Sequence, residues 1–346
     1  MIDVLVVGGG PAGLATAILA DRAGLSTAVA EPRTSPVDKA CGEGLMPAAV
    51  ARLAALGVDP PGQALRGIRY LQAERGAEAL FSGPPGRGVR RTALHEALIA
   101  RVAEARIPLL PVRVEGFTRG PGYLEAAGIR ARHLVAADGL HSPIRRACGL
   151  NQARPAGSRN ALPRYGLRRH YRTAPWTDLI EVHWARDSEA YVTPVAPDLV
   201  GVAILGPGRG GFEDRLAAFP DLRARLAAAR VAGPDRGAGP LRQDVRRRTA
   251  ADGVLLVGDA SGYLDALTGE GISVALAQAE ALAHCLARGC PEEYERRWHE
   301  VSRTSRRLTA GLLWARHNPL LRHGIVSAAG RLPLLFTALV NRVAEG

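Results

Sequence analysis

Cysteine is scarce in this 346-residue chain, and its spacing serves no ligand set. Cys41, Cys148, Cys285 and Cys290 form no CxxC pair, and the nine histidines are equally scattered. That pattern predicts no metal site and no disulfide framework, as in a reduced cytoplasmic protein. Lysine is scarcer still. Lys39 is the only one, so the formal charge of +12 rests on arginines spread along the whole chain. With aromatics at 5% there is no stacking platform interleaved with a basic stripe, and nucleic acid is not an expected partner. No charged n-region and apolar h-region precede the first hydrophobic run, which begins at residue 2, so no secretory signal is expected. The most apolar late stretch, residues 332–340, is too short to span a bilayer. What remains open is peripheral contact with an anionic membrane through the arginine-bearing C-terminal helices.

At 47% hydrophobic, the chain can bury a large core and is expected to divide into two lobes. Its first stretch, IDVLVVGGGPAG, is a buried-type strand running into a glycine turn and then a helix. That order is what a dinucleotide pyrophosphate needs. Gly8 permits the tight turn, Gly10 lets the backbone approach the phosphates, and Gly13 lets the helix pack close to the strand. Pro11 and Ala12 open the helix, whose N–H groups and positive dipole end face the anion. The helix, residues 14–23, stops at Gly24. A second strand at 26–30 ends in Glu31, an acid placed to accept both hydroxyls of an adenosine ribose.

The loop over residues 32–47 is rich in proline and glycine and lies beside the turn, which marks it as a functional segment. Within it Cys41 reads equally as a small buried thiol or a reactive one. Alternating runs at 68–71 and 77–81 predict a hairpin belonging to another sheet. Arg91 and Thr92 then open a helix with Leu94, Leu98 and Val102 on one face, and a strand follows at 109–114. A further strand, 134–137, ends in Asp138-Gly139, which can aim a carboxylate at a cofactor edge. His141 reads as an ordinary loop residue, and Arg145 and Arg146 as solvated or phosphate-binding. Strand-like runs at 166–171, 179–184, 190–193 and 200–205 predict a second, antiparallel sheet that covers a ligand. Residues 206–211 also spell GxGxxG, but Pro207 removes a donor N–H and no strand with a terminal acid follows, so this is not read as a second nucleotide site. Residues 212–219 and 221–230 read instead as consecutive helices.

The last motif is a strand at 253–257 with Gly258-Asp259 at its end, then Thr268-Gly269-Glu270-Gly271-Ile272 opening a helix. Its apolar face carries Ile272, Ala275, Leu276, Ala279, Leu282 and Leu286, and Gly289 stops it. Asp259 suits a ribityl hydroxyl. The glycine-rich helix start suits the isoalloxazine N1 and O2, where negative charge develops on reduction. Residues 291–346 are arginine-rich helices interrupted by Pro319 and Pro333. They read as interface packing, as a lid over a greasy substrate, or as a membrane contact.

With these motifs in this order, the chain resembles the FAD-dependent monooxygenase and geranylgeranyl reductase superfamily, whose fold is that of p-hydroxybenzoate hydroxylase. The pieces are residues 8–13 with Glu31, the Arg91 helix start, residues 137–145 and residues 258–271. The resemblance implies an α/β protein with a Rossmann-like FAD-binding lobe, an antiparallel β-sheet substrate lobe and C-terminal helices. The expected boundaries are 1–66, 88–155 and 246–290 for the FAD lobe, 67–87 and 156–245 for the substrate lobe, and 291–346 for the helices. It implies FAD as cofactor, NAD(P)H as a transient reductant without a domain of its own, and a hydrophobic small-molecule substrate. The FAD-binding set it implies is Gly8, Gly10, Pro11, Ala12, Gly13, Glu31, Arg33, Cys41, Gly42, Arg91, Val114, Asp138, Gly258, Asp259, Gly269, Gly271 and Ile272.

Two activities follow from the resemblance. The pattern, CGEGLMP and AYVTPV included, looks closest to flavoprotein hydroxylases associated with type III polyketide synthases. These use NAD(P)H and O2 to hydroxylate alkylresorcinol-type phenols through a flavin C4a-hydroperoxide. Cys41, Glu43 and Tyr191 are the catalytic candidates, with His183 a further guess for the base. Residues 39–44 and 268–271 look instead like the reductase branch, in which hydride from flavin N5 reduces an isoprenoid C=C bond. The family's cysteine at the Cys41 position is associated with catalysis there. Against that branch, the reductases' Tyr-x-Trp-x-Phe-Pro motif appears here as Glu189 to Pro194 with its aromatics largely altered, and Ala266 replaces the usual proline. Tryptophan-type halogenases are a third relative whose Trp-x-Trp-x-Ile-Pro motif and lysine are missing. A flavin-binding redox sensor without turnover is the non-enzymatic alternative.

Overall fold

The computed structural model describes residues 1–33, 36–152, 162–208, 210–250, 253–318, 321 and 324–345. In chain order the first part runs β1 (Ile2–Val7), α1 (Pro11–Arg22), β2 (Thr27–Ala30), β3 (Gly44–Leu45), α2 (Pro47–Ala55), β4 (Gln63–Leu65), β5 (Gly67–Gln72), β6 (Arg75–Leu80), β7 (Gly86–Gly88) and α3 (Arg91–Glu104). The middle continues with β8 (Leu109–Leu110), β9 (Thr118–Gly120), β10 (Tyr123–Ala126), β11 (Ile129–Ala136), α4 (Pro143–Ala147), β12 (Arg164–Arg172), β13 (Leu179–Trp184), β14 (Glu189–Ala196) and β15 (Leu199–Pro207). The last part holds α5 (Phe212–Leu216), α6 (Pro220–Leu226), β16 (Arg230–Val231), β17 (Arg236–Ala238), β18 (Thr249–Ala250), β19 (Val254–Leu256), α7 (Gly271–Ala287), α8 (Tyr294–His317), α9 (Ile325–Arg331) and α10 (Pro333–Glu345).

The fold is mixed α/β, as the sequence predicts. One sheet has the order β18-β19-β11-β1-β2-β8, with the five strands from β19 to β8 mutually parallel. Its central strands are continuous apolar runs because both faces are covered. On one side lie α1, α3 and α7, whose Leu14, Ile18, Leu94, Leu98, Leu276 and Leu282 share a core with Val4, Val6 and Val29. The C-terminal ends of β1, β2, β11 and β19 therefore share one edge, carrying Gly8, Glu31, Ala137 and Gly258 in turn, the position where open parallel sheets bind ligands.

The second sheet has the order β16-β12-β15-β14-β13-β5-β6. The hairpin β5–β6 joins it, as its alternating pattern suggests. One pairing departs from the expected antiparallel arrangement: β13 and β5 run parallel. They come from distant parts of the chain, so no hairpin dictates their direction. The outer face, with Val192, Val202 and Ile204, is covered by α5 and α6 through Phe212, Phe219 and Leu222. The inner face grades from polar on β12, with buried Arg164, Arg168 and His170, to apolar on β13, with Ile180, Val182 and Trp184. There α9 and α10 close it off through Val326, Ala329, Phe336 and Val340. A small sheet, β3-β7-β4, completes the layers.

Several local expectations are revised. The strand expected at 109–114 ends at Leu110, because Val112 N–H folds back onto the Leu110 carbonyl at 2.8 Å. The helices after the second GxGxxG are only Phe212–Leu216 and Pro220–Leu226, with a proline opening the second. Gly206 of that motif is a ladder residue paired with Tyr165, not a phosphate turn. Arg209, Pro319 and the expected boundary at 155–156 lie outside the described residues.

Candidate cofactor cleft

The glycine turn has the close approaches its sequence demands. Gly8 has φ +110°, and a Cβ there would sit 2.4 Å from the Ala137 carbonyl oxygen. At Gly13 a Cβ would lie 1.9 Å from the Gly8 oxygen, so helix and strand touch through that glycine. Gly10 is different. A Cβ there would meet only Arg91 Nη2, at 3.9 Å, so its open side faces the cleft. Pro11 takes the first helical position, where its missing N–H costs nothing, and no side chain caps the helix start. The N–H groups of the first turn, Ala12 and Gly13 among them, stay free for an anion.

Glu31 stands where expected, at the end of β2, but its carboxylate is already engaged. Oε2 accepts the Gly9 N–H at 2.8 Å and Arg33 Nη2 at 2.7 Å, and Oε1 accepts the Arg33 N–H at 3.0 Å and Nε at 2.7 Å. These bonds outweigh the cost of burial and hold the Glu31 carboxyl at about 2. The turn is braced from behind by His95 on α3. Its Nδ1 accepts the Val37 N–H at 3.3 Å, so the proton is on Nε2, which donates to the Gly9 carbonyl at 2.8 Å. Burial pushes His95 down, in keeping with a neutral ring.

Positive charge converges on the cleft. Arg91 is buried, and its Nη1 has no hydrogen-bond partner. Lys39, the only lysine, lies across the cleft, 3.5 Å from where a Gly139 Cβ would stand. Desolvation and the charges of Arg33 and Arg91 lower its pKa against the pull of Asp259 and Glu31. An orphaned buried guanidinium beside open backbone N–H groups fits a diphosphate. Asp259, on the 3-10 turn Gly258–Ser261, is solvent-accessible and faces Lys39, Arg91 and Arg145. The protein crowded around it raises its pKa overall.

Other expected residues pack or bond within the protein. Asp138 turns to α4, where its Oδ2 accepts the Ile144 N–H at 3.2 Å and its Oδ1 has no partner. Arg145 is neither solvated nor free for phosphate. It is buried, and it ties the Ala260 and Leu140 carbonyls at 3.0 and 2.9 Å and Asn151 at 2.7 Å, which holds the loop carrying Asp259 in place. Val114 is buried behind the strand ends in a core with Val7 and Ala30. His141 is an exposed loop residue, as expected, its Nε2 lying 3.2 Å from the Gly239 carbonyl.

At the far end of the cleft two loops face each other. A Cβ on Gly269, which has φ +70°, would stand 3.7 Å from Met46 Cε. Gly271 opens α7 beside them, and Ile272 packs into the first core. Cys41 is half-buried, with the Glu43 N–H donating to its Sγ at 3.3 Å, and Gly42 is exposed with its carbonyl accepting from Thr193 Oγ1 at 2.8 Å. Burial pushes the Cys41 thiol up, and Arg91 pulls it partly back.

Two of the catalytic candidates are tied into the frame. Glu43, at φ +61°, places Oε1 on the Arg91 N–H at 2.8 Å and Oε2 against His170 Nε2 at 2.6 Å. Arg168 Nη1 donates to His170 Nδ1 at 2.9 Å, and Arg168 also pairs with Asp38. Tyr191 donates to the Leu267 carbonyl at 2.6 Å, fixing the 266–271 loop to the second sheet. His183 belongs to the opposite face from Tyr191 and pairs with Glu181 at 3.2 Å. Sequence reasoning missed Lys39, His95, Arg168 and His170. Only Lys39 carried a signal, as the single lysine. Among the described residues no cluster could hold a metal ion, and no helix is long and apolar enough to cross a membrane.

Residues 3–82 match the family described as FAD binding domain. The chain is 30% identical to a menaquinone reductase of Mycobacterium tuberculosis over 381 aligned positions, spanning 98% of this chain and 89% of that protein. It is 29% identical to a digeranylgeranylglycerophospholipid reductase of Methanopyrus kandleri over 344 positions, spanning 87% of each. In fold it is similar to the flavin-dependent brominase Bmp2, with a TM-score of 0.83 at 17% identity over 100% of this chain and 94% of that one. The chain that places Arg91 beside a glycine turn, on the ligand edge of a parallel sheet, thus aligns almost end to end with a reductase. The protein belongs to the family of FAD-dependent oxidoreductases that includes this menaquinone reductase.

Proposed function

We propose that the protein reduces carbon–carbon double bonds in an isoprenoid-bearing lipid, with NAD(P)H as the transient reductant. What carries this reading is the near end-to-end likeness to two reductases, both named for lipids that bear isoprenoid chains. FAD, when bound, supplies the hydride chemistry. Residues 8–13 would cradle its diphosphate with Arg91 and Lys39, while Glu31 with Arg33, and the backbone at Val114, would hold the adenosine. Asp259 and Gly258 would take the ribityl chain, and Asp138 would act through α4. Gly269, Gly271 and Ile272 would seat one edge of the ring, with Cys41 and Gly42 across from it.

The side chains around the reacting end suit an apolar substrate. Ile180, Val182, Ala203 and Leu205 of the inner sheet face form a core with Met46 and Leu267, the latter two on the loops that face each other. Such a floor excludes water and binds a chain by area rather than by hydrogen bonds. Glu43 and Tyr191, both hydrogen-bonded into the frame, act as positioning residues. Cys41 is the half-buried group on the substrate side with a transferable proton. A membrane-borne substrate also suits α10, where Leu334 is 87% and Leu335 55% exposed, and residues 301–346, which hold seven arginines and one acid.

Hydroxylation of an alkylresorcinol-type phenol with O2 is the second reading. It is favoured by the altered 189–194 motif, which lacks the reductases' aromatics. One experiment separates the two. Purified FAD-loaded protein is given NAD(P)H with a prenylated lipid or a long-chain resorcinol, and the product is weighed by mass spectrometry. A gain of two hydrogens on the prenyl chain supports reduction; a gain of one oxygen on the resorcinol replaces it with hydroxylation.

A further inference from the structure

Between α7 and α8 lies a small concavity, walled on its third side by the loop that carries Asp259 to Gly271. None of the residues at the glycine turn, the 36–46 loop or Arg91 lines it, so it is separate from the diphosphate cradle. Its lining is rich in hydroxyls. Thr268 Oγ1 and Thr309 Oγ1 are 2.9 Å apart, and Ser305 stands one turn before Thr309 on α8. Ser305 and Arg306 are half-buried and form its solvent side.

Glu270 lines this space at the residue before α7 begins. Its side chain is all but sealed, with the residue 3% exposed, and Oε2 has no hydrogen-bond partner. The hydroxyls of Thr268 and Ser305 line the same space and act to lower its pKa. The hydroxyl of Ser273, one turn on, is likewise buried and unpartnered. The charged or titratable groups on the surrounding walls are Asp259, Tyr263 and Asp265 from the loop and Arg306 from α8, while α7 offers only neutral side chains. No cation in this set is bonded to Glu270. Burial raises its pKa despite the helix start, which by itself would favour the carboxylate.

We infer that Glu270 is a proton carrier, loading from solvent through the Ser305, Thr268 and Thr309 hydroxyls and delivering to the reacting end of the cleft at Gly271. The inference rests on the proposed reduction. Saturating a double bond adds one hydride and one proton; NAD(P)H supplies both electrons with the hydride, and the proton must come from elsewhere. Cys41 on the substrate side can give up a proton, but the apolar side chains around it offer no route to replace it, so the back of the α7 start is the route with hydroxyls. In each cycle the Glu270 Oε2–H bond breaks, the proton leaves, and a new O–H bond forms with a proton from water, leaving the residue unchanged.

The test uses the whole protein and the isosteric Glu270→Gln. Infrared difference spectra of the cofactor-free protein taken across an acid-to-neutral titration should show the carbonyl stretch of a buried carboxylic acid that titrates above an ordinary glutamate and is missing in E270Q. In the FAD-loaded protein, the pH dependence of the reduction potential around neutrality should flatten in E270Q, and Ser305→Ala should slow proton uptake on reduction several-fold at unchanged FAD content. A wild-type-minus-E270Q difference spectrum with no such band, or a potential whose pH dependence matches the wild type, overturns the inference. If the product gains oxygen instead of two hydrogens, the reductase reading falls, whereas the infrared result still reports on Glu270 alone.

Discussion

Glu43 Oε2 and His170 Nε2 lie 2.6 Å apart, joining a loop of the cofactor edge to β12 of the second sheet. The bond needs Gly201 on the adjoining strand, where a Cβ would stand 2.8 Å from Glu43 Oε2. It also holds Glu43 in a left-handed conformation that a non-glycine residue adopts only under restraint. Glu43→Ala orphans His170 and the Arg91 N–H together and is expected to cost about 2–4 kcal/mol. Denaturant unfolding checks this, and a variant as stable as the wild type would remove Glu43 from the frame. Glu43→Gln should lose less, because its amide oxygen can still accept from one of the two.

The glycine turn separates folding from binding. Gly13→Ala puts a methyl 1.9 Å from the Gly8 oxygen and should yield insoluble or unfolded protein. Gly10→Ala meets nothing closer than 3.9 Å, at φ −77°, so it should fold with a near-normal melting curve yet purify without yellow colour. A yellow G10A protein would place the diphosphate elsewhere.

Glu31 confers a pH dependence whose sign is set by its lowered pKa. Its contribution is complete above the ordinary value of 4.5 and is lost as pH falls from there towards 2. With Arg33 half exposed, the effect amounts to about 1–2 kcal/mol between pH 6 and pH 3. Comparing urea midpoints of wild type and Glu31→Gln across that range should show the smaller acid sensitivity in E31Q.

Cys41→Ser retains the size of the group and removes an ionisable thiol. If the thiol serves the substrate, double-bond reduction should fall by at least about tenfold while the FAD spectrum is unchanged. Equal activity would assign Cys41 to packing.

The exposed leucines of α10 lead to a membrane test. The protein should float with vesicles containing anionic lipid, less at high salt, and Leu334→Asp with Leu335→Asp should abolish flotation without changing FAD content. Flotation that survives the double substitution would place the contact on another face.

The sequence by itself determined the cofactor edge. Residues 2–13 and 253–272 are contiguous strand–turn–helix units, and the glycines and terminal acids they need are local requirements of backbone geometry. The apolar periods of α3 and α7 were legible for the same reason: a helix buries the face its own spacing makes. What tertiary structure decided was the partner of each buried polar group. Glu43 and His170 are 127 residues apart, Arg145 reaches Ala260 across 115, and Tyr191 meets Leu267 across 76. No periodicity encodes such pairs. A buried donor or acceptor takes whichever partner the packing of distant strands brings within 3 Å, because leaving it unpaired costs more than any local preference. That is how Glu43 and Tyr191, candidate catalysts as sequence, became the struts that hold the cleft, while Glu270, one letter in a glycine-rich helix start, was left buried without a partner for its outer oxygen.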